Sequence, residues 1–398
     1  MRHIIASSAE ASPLTQLSTR ESRFQSEIRE FSTQHIAPIV FAMDNEAVLD
    51  RDLISALHEG NFMNIEIPSE AGGRGGTFFE SIIAIEEIAK IDPSVAVFVD
   101  VQNTLVNNAL ARWCSEEQKP RWLGALASGG TGAFSITEKH AGSDAYALST
   151  TATRVDGGYV LSGEKHLVTN AAEADIFIVF AKTEESGSGD ELTAFLIQGD
   201  DTPGFRVMAR EEKMGIRASS TCPLSLEEVF VPDFQVLGGP GLGKQIALET
   251  LTDGRVGIAA QMVGLAEGAL NAAIDYTRNR RQFGRAICDF QGVHFLLADL
   301  ATSIEAARLM VYNAARHKGS RLGQGEYFTS ASMAKYLAAE VAGRVTSGVL
   351  DLFSGAGYLK NSPAEKFYRD AKIGTIYEGT AHMQLRSIAK MIVNHKEH

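Results

Sequence analysis

Cysteine is scarce: Cys114, Cys222 and Cys288 are the three in a chain of 398 residues. Their odd number, wide spacing and lack of any C-x-x-C speak against a disulfide framework or a cysteine-held metal, and they suit a reducing cytosol. Runs of Lys or Arg are missing as well. With 37 basic against 49 acidic residues the net charge is -12 and the pI about 5.4, so neither nucleic acid nor an anionic membrane surface is expected as a partner. No uninterrupted apolar run approaches the ~20 residues of a membrane-spanning helix. The ten histidines form no H-E-x-x-H, and G-x-S-x-G does not occur, which sets aside zinc-protease and serine-hydrolase chemistry. The first twelve residues are rich in Ser and Ala but contain Glu10 and no long apolar core, which is not the pattern of a secretory signal. Internal repeats and low-complexity tracts are not seen either.

What remains is an ordinary globular composition, 44% hydrophobic, over a length that favours two or three domains. The texture changes twice. Over residues 14–130 the period is helical: Phe24, Ile28 and Phe31 recur at i, i+4, i+7, and Leu53, Ile54, Leu57 and Ile82, Ile83, Glu86, Glu87, Ile88 continue amphipathic turns. The run Gly72-Gly73-Arg74-Gly75-Gly76 between them is a loop. Over 131–240 short strands are expected at 159–161, 176–180, 193–197 and 205–208, with no long helix, as in a small antiparallel sheet or barrel. Over 241–398 the helix period returns in long segments, 246–279, 292–318 and 328–352, with a shorter one after Thr380. Ala259, Ala260, Ala266, Ala269, Ala272 and Ala273 suit close packing on a partner helix, in the same subunit or another.

Two glycine motifs lead nowhere. Gly238 to Lys244 reads G-x-x-x-x-G-K, but Gln245 stands where a P-loop needs Ser or Thr for magnesium, so an inter-domain turn is expected. The run at 72–76 does not match G-x-G-x-x-G, and no Rossmann site follows from it. Other stretches carry chemistry. Ile376-Tyr377-Glu378-Gly379-Thr380 sets one carboxylate among apolar neighbours, and partial burial makes a carboxylate a better base for a weakly acidic C–H; the plain alternative is a surface Glu or a cap on the next helix. Phe134-Ser135-Ile136-Thr137-Glu138 with Ala141 to Asp144 offers hydroxyls and backbone N–H groups suited to phosphate oxygens or a ring edge, or is a strand end and turn. Arg278, Arg280 and Arg281 beside Phe283 suit a pyrophosphate, or helix C-terminal carbonyls.

The order of these pieces resembles the acyl-CoA dehydrogenase family. Thr137-Glu138 with 141–144, Gly163-Glu164-Lys165 with Thr169-Asn170-Ala171, the stretch 213–221, the stretch 280–284 and the stretch 369–380 follow in family order from about Leu14 to Lys390. The stretches 92–98, Gln102 to Leu105 and 254–261 look like its short/branched-chain subgroup.

The resemblance implies an α+β chain: an N-terminal helical domain (14–130), a middle antiparallel β domain (131–240) and a C-terminal four-helix bundle (241–398). It implies a homotetramer with one FAD per subunit and a reaction in which Glu378 removes the α-proton of an acyl-CoA thioester while the β-hydride goes to the flavin, electron-transferring flavoprotein being the oxidant. By position, Phe134, Ile136, Thr137 and Ser143 line the flavin and the thioester end, and Val168 and Thr169 touch the ring. Arg280, Phe283 and Gln291 reach the FAD of a neighbouring subunit. Asp351, Leu352, Phe353, Ser354 and Gly355, with Thr380 and His382, complete the cofactor site. Ser143, Lys244, Thr252, Asp253, Arg255 and Gly379 face the acyl carrier. Departures from the pattern are Leu167, where an aromatic is usual, Lys244, Thr252, the pair Lys139-His140, and His382. These leave room for a carrier-protein substrate in a biosynthetic pathway, or for a flavin oxidase. The expected location is the cytoplasm of a bacterium or the mitochondrial matrix of a eukaryote.

Overall fold

Ser18 and Glu21 close a capping box that starts helix α1, Thr19–Phe31, and the i, i+4 pair Phe24 and Ile28 on it is buried, as its period predicts. In the structure, a computed structural model describing residues 13–183, 191–199, 202–318 and 324–394, this helix begins an N-terminal helical region. It continues through α2 (Val40–Glu46), α3 (Arg51–Glu59), α4 (Phe78–Ala89), α5 (Pro93–Asp100), α6 (Asn108–Trp113) and α7 (Lys119–Ala127). α4 is not amphipathic as expected at 82–88: all of its side chains are buried, because it packs between α1, α5 and two later helices, Gly243–Asn279 and Gln291–His317. Its carboxylates survive burial by pairing, Glu86 with Arg308 Nε at 2.9 Å and Glu87 with Lys90 Nζ at 2.8 Å.

Between α5 and α6 the chain runs without a break through a π-helical stretch, Val101–Asn107, every residue of which is buried. Its amides hold neighbouring loops. Asn103 Nδ2 donates to Phe62 O at 2.9 Å and its Oδ1 accepts from Ile65 N–H at 2.9 Å, while Gln102 Oε1 accepts from Gly132 N–H at 2.8 Å. That last bond ties the helices to the first strand of the sheet.

The middle region comprises β1 (Gly132–Ser135), β2 (Thr151–Val155), β3 (Gly158–Thr169), β4 (Ile176–Thr183), β5 (Glu191–Gln198), β6 (Phe205–Val207), β7 (Thr221–Pro232) and β8 (Val236–Leu237), in the order β6-β7-β3-β2-β4-β5-β8 with β1 on β4. The four expected strands are present. The sheet is antiparallel except where β4 meets β1 and the end of β2, which run parallel to it. β4, central and nearly all buried, reads as a continuous apolar run because both its faces are covered. One face packs on the helices and the other forms a second core around Tyr159, Phe177 and Phe195.

The stretch 238–242 is the expected turn. It leads into α8, Gly243–Asn279, at a point where a side chain on Gly243 would lie 2.6 Å from Leu192 O. The hairpin β9 (Arg281–Gln282) and β10 (Arg285–Ala286) follows, then α9 (Gln291–His317), α10 (Gln324–Phe353), α11 (Pro363–Ala371) and α12 (Ala381–Asn394). By length and composition α8 could cross a membrane, but 78% of that stretch is buried inside the molecule. Its small face meets helices of the same chain: Gly264 and Gly268 let α4 approach so closely that any side chain there would overlap Glu86 O and Lys90 O, and α10 packs along α8.

Candidate active site

Glu378 sits on the turn between α11 and α12. Glu378 and Gly379 both adopt left-handed backbone angles, φ +52° and +84°, which a non-glycine residue accepts only when its surroundings impose it. Several contacts do so. Gln384 Nε2, from α12, donates to Glu378 O at 2.9 Å and Gly379 O at 3.0 Å, and Lys335 Nζ, from α10, donates to Gly379 O at 2.7 Å. Tyr377 O–H donates to Gln261 on α8, whose amide in turn donates to Pro93 O at 2.7 Å. Upstream, the buried Lys366 bridges Asp92 at 2.9 Å and Asp370 at 2.7 Å, and Asp370 accepts from Ile216 N–H at 2.6 Å, so α11 is locked to the sheet region. Capping of α12 falls to Thr380, whose hydroxyl accepts from Met383 N–H at 3.3 Å. Glu378 is thereby free of the capping role.

The residue is half-buried, but its Oε2 is sealed from solvent and has no hydrogen-bond partner among the described residues. Burial pushes the carboxyl up to about 7, against the pull of Arg255 and Lys335. Arg255 is itself held by Ser332 Oγ at 3.0 Å and by the Phe328 ring, 4.6 Å from its guanidinium. Among the described residues the Glu378 N–H has no acceptor. A basic carboxylate and a free N–H therefore share one residue, held rigid.

Opposite stands a glycine face of α8. A side chain at Gly254 would lie 3.0 Å from Glu378 Oε2 and 2.7 Å from Leu105 Cδ2, and one turn on a side chain at Gly257 would overlap Asp100 Oδ1. Asp100, at the end of α5, is buried, accepts from Thr104 Oγ1 at 2.8 Å, and is driven well above the usual carboxylate range by burial and then by the charge of Glu378. Burial thus holds both neighbouring carboxyls above the ordinary carboxylate range. Thr252 and Asp253 precede this face, but both are buried: the Thr252 hydroxyl donates to Leu248 O at 2.7 Å, and Asp253 is engaged by Tyr327 O–H at 2.7 Å and Lys318 Nζ at 2.9 Å. Lys244, exposed on the first turn of α8, stands roughly 15 Å along the helix from Gly254.

At the sheet edge, His166 N–H donates to Thr137 O at 2.8 Å, which puts 134–137 beside 167–169. Phe134, Ile136 and Val168 are buried, and Thr137 and Thr169 half-buried. Neither threonine hydroxyl has a partner among the described residues. Leu167, at φ +56° where β3 shifts register, turns outward and is 61% exposed. Two unpaired hydroxyls beside an apolar wall fit a flat polar ring such as flavin. The π-helical stretch 101–107 joins this edge to the base, since Val106 packs at Gly132 and Leu105 at Gly254. Ser143 is exposed on the loop that follows.

A second group lies elsewhere. Arg280 ends α8, Phe283 and Gly284 form the positive-φ turn of the β9–β10 hairpin, with Phe283 94% exposed, and Gln291 opens α9. Tyr276 stacks on Phe353 at 4.2 Å, which brings the end of α10, with exposed Asp351, Ser354 and Gly355 and half-buried Leu352, to the same place. Along α8 this group is roughly 38 Å from Gly254. One subunit thus does not bring it to Glu378. His382 is exposed on the first turn of α12. Lys335, Gln384, Gln261 and Asp100 were not singled out from sequence; the readable signal was a polar residue on an otherwise small or apolar helical face, as for Lys335 between Ala331, Ala334, Ala338 and Ala339. Among the described residues no cluster of His, Cys, Asp and Glu could hold a metal ion.

Comparison with known proteins bears on these groups. Three family models match, described as acyl-CoA dehydrogenase N-terminal domain over 18–130, middle domain over 133–229 and C-terminal domain over 241–393. The chain is 45% identical over 382 residues to a probable short/branched chain specific acyl-CoA dehydrogenase of Dictyostelium discoideum, covering 96% of this chain and 92% of that one. Butyryl-CoA dehydrogenase from Megasphaera elsdenii superposes with a TM-score of 0.90 at 38% identity, over 95% of this chain and 99% of that one. A chain from a structure of the electron transferring flavoprotein of Acidaminococcus fermentans gives 0.91 at 39% identity, over the same shares.

Proposed function

The chain belongs to the acyl-CoA dehydrogenase family, a family of FAD-dependent oxidoreductases, and from that membership we propose that it converts a short or branched-chain acyl-CoA to the trans-2-enoyl-CoA with Glu378 as the α-proton base. The observation that carries the assignment is the Glu378 carboxylate itself, with Oε2 sealed from water, brought to about 7 and set close against Gly254 on α8. A thioester α-hydrogen is too weakly acidic for a carboxylate in water, so the developing enolate needs donors in a dry site. In this reading the Glu378 N–H, which has no acceptor among the described residues, would donate to the thioester oxygen while the carboxylate takes the proton. Arg255 and Lys335 favour the ionised carboxylate against the opposing effect of burial. FAD, when bound, supplies the acceptor for the β-hydrogen as hydride.

Thr137 and Thr169, with Phe134, Ile136 and Val168, would hold its ring. Arg280, Phe283, Gln291 and the segment 351–355 are too far from Glu378 to serve the same subunit's ring, and we assign them to the cofactor of a neighbouring subunit in a homotetramer. Exposed Phe295, Leu385, Ile392 and Val393 on α9 and α12 supply apolar area for such contacts. Electron-transferring flavoprotein is the proposed oxidant, in the cytoplasm or the mitochondrial matrix. The division at 130/131 and 240/241 is our reading of the domain limits. The test is anaerobic bleaching of the FAD-bound protein by butyryl-, isobutyryl-, 2-methylbutyryl- and isovaleryl-CoA. Rapid bleaching by 2-methylbutyryl- or isobutyryl-CoA is expected; no bleaching by any of them, with dithionite still reducing the flavin, rejects the substrate class and points to a carrier-bound thioester.

A further inference from the structure

Phe328, Ser332 and Lys335 recur at i, i+4, i+7 on α10 and so share one face. All three act on Glu378 or on the arginine beside it. Phe328 and Ser332 fix the Arg255 guanidinium, and Lys335, fully buried, donates to Gly379 O at 2.7 Å. Lys335 forms no ion pair among the described residues. A buried ammonium with one carbonyl as partner is costly, and the neutral Gln384 amide already holds both carbonyls of the turn. A lysine is therefore not needed there for the hydrogen bond alone. Its charge acts on Glu378, whose carboxyl it draws down.

We propose that Lys335 is the positioning residue of the base: it clamps the Gly379 carbonyl and provides the fixed positive charge that keeps Glu378 ionised in a water-poor site. The inference rests on Glu378 being the base. The charged groups that reach Lys335 are Glu378 from the turn and Arg255 from α8, while α12 presents the neutral Gln384. Burial brings the Lys335 ammonium down to about 8, with Glu378 opposing and Arg255 assisting the shift. The carboxyl must lose its proton and the lysine must keep its own, so activity falls below the first value and above the second.

Lys335→Gln keeps a donor and loses the charge; Lys335→Arg keeps the charge at all accessible pH. The readouts are the pH profile of kcat and the exchange of substrate α-hydrogen into D2O. In Lys335→Gln the acid limb moves up by about one unit or more, activity at pH 7 falls about fivefold or more, and KM stays within about threefold. Lys335→Arg restores activity at pH 7 and moves the alkaline limb upward. An acid limb unmoved in Lys335→Gln, whatever the loss in kcat, overturns the proposal, because a merely structural lysine would give that result. Should Lys335→Gln not fold, Lys335→Arg decides: a displaced alkaline limb supports the proposal and an unmoved one overturns it. Wild type that neither oxidises nor exchanges any acyl-CoA would remove the proposed function and this inference together, whereas active wild type with unmoved limbs removes this inference alone.

Discussion

Gly254 on α8 and Glu378 on the α11–α12 turn occupy one space: a β-carbon on the first would lie 3.0 Å from the carboxylate of the second. Gly254→Ala therefore presses on the base and on Leu105, and one of them must give way. The expected result is a fall in kcat of about tenfold or more, since small displacements of a reacting group are costly. Helix propensity favours Ala, so thermal stability should change little. Unchanged kcat with the Ala methyl seen in a crystal structure would show that the carboxylate works from another position.

A buried ion pair holds the loop that follows β1. Glu138 accepts from Lys165 Nζ at 2.7 Å and from the N–H and hydroxyl of both Ser149 and Thr150. Burial alone would raise its carboxyl, but these donors outweigh burial and hold it down at about 2. A lowered folded value means stability present above the ordinary 4.5 and lost as pH falls from there towards 2. Glu138→Gln should cost about 3 kcal/mol at pH 7, read by urea unfolding, with the gap from wild type narrowing at pH 3. A gap that does not depend on pH would show that the carboxylate charge is not what stabilises the loop.

Phe283 is 94% exposed at a hairpin tip, meeting the Phe290 ring edge-on at 6.3 Å. Phe283→Ala should leave the fold intact, weaken FAD retention about tenfold and shift sedimentation towards smaller species. Full retention of FAD and an unaltered oligomer would place the second group of residues outside the cofactor site.

The helical period announced the long helices because α9 and α10 each bury a stripe against neighbours, while α8 is buried nearly all round over its middle. It misjudged α4, where Glu86 and Glu87 looked solvent-facing; Lys90 beside them is local, but the arginines that pair with them, Arg308 with Glu86 and Arg29 with Glu87, come from distant parts of the chain, and local spacing carries no trace of that. The short strand β8 was invisible for a similar reason, since its two residues gain their pairing only from the sheet. Glu378 was readable through its motif. Its left-handed turn, the Lys335 clamp and the raised carboxyl of Asp100 were not, because each depends on segments tens to hundreds of residues apart meeting at one point.

The base assignment is tested most directly with Glu378→Gln, which keeps size and polarity and removes the proton acceptor. With FAD bound and 2-methylbutyryl-CoA present, both flavin bleaching and α-hydrogen exchange into D2O should fall by about a hundred- to ten-thousand-fold, while thioester binding stays near wild type. Exchange and bleaching within about threefold of wild type would contradict the account and assign proton removal to another group.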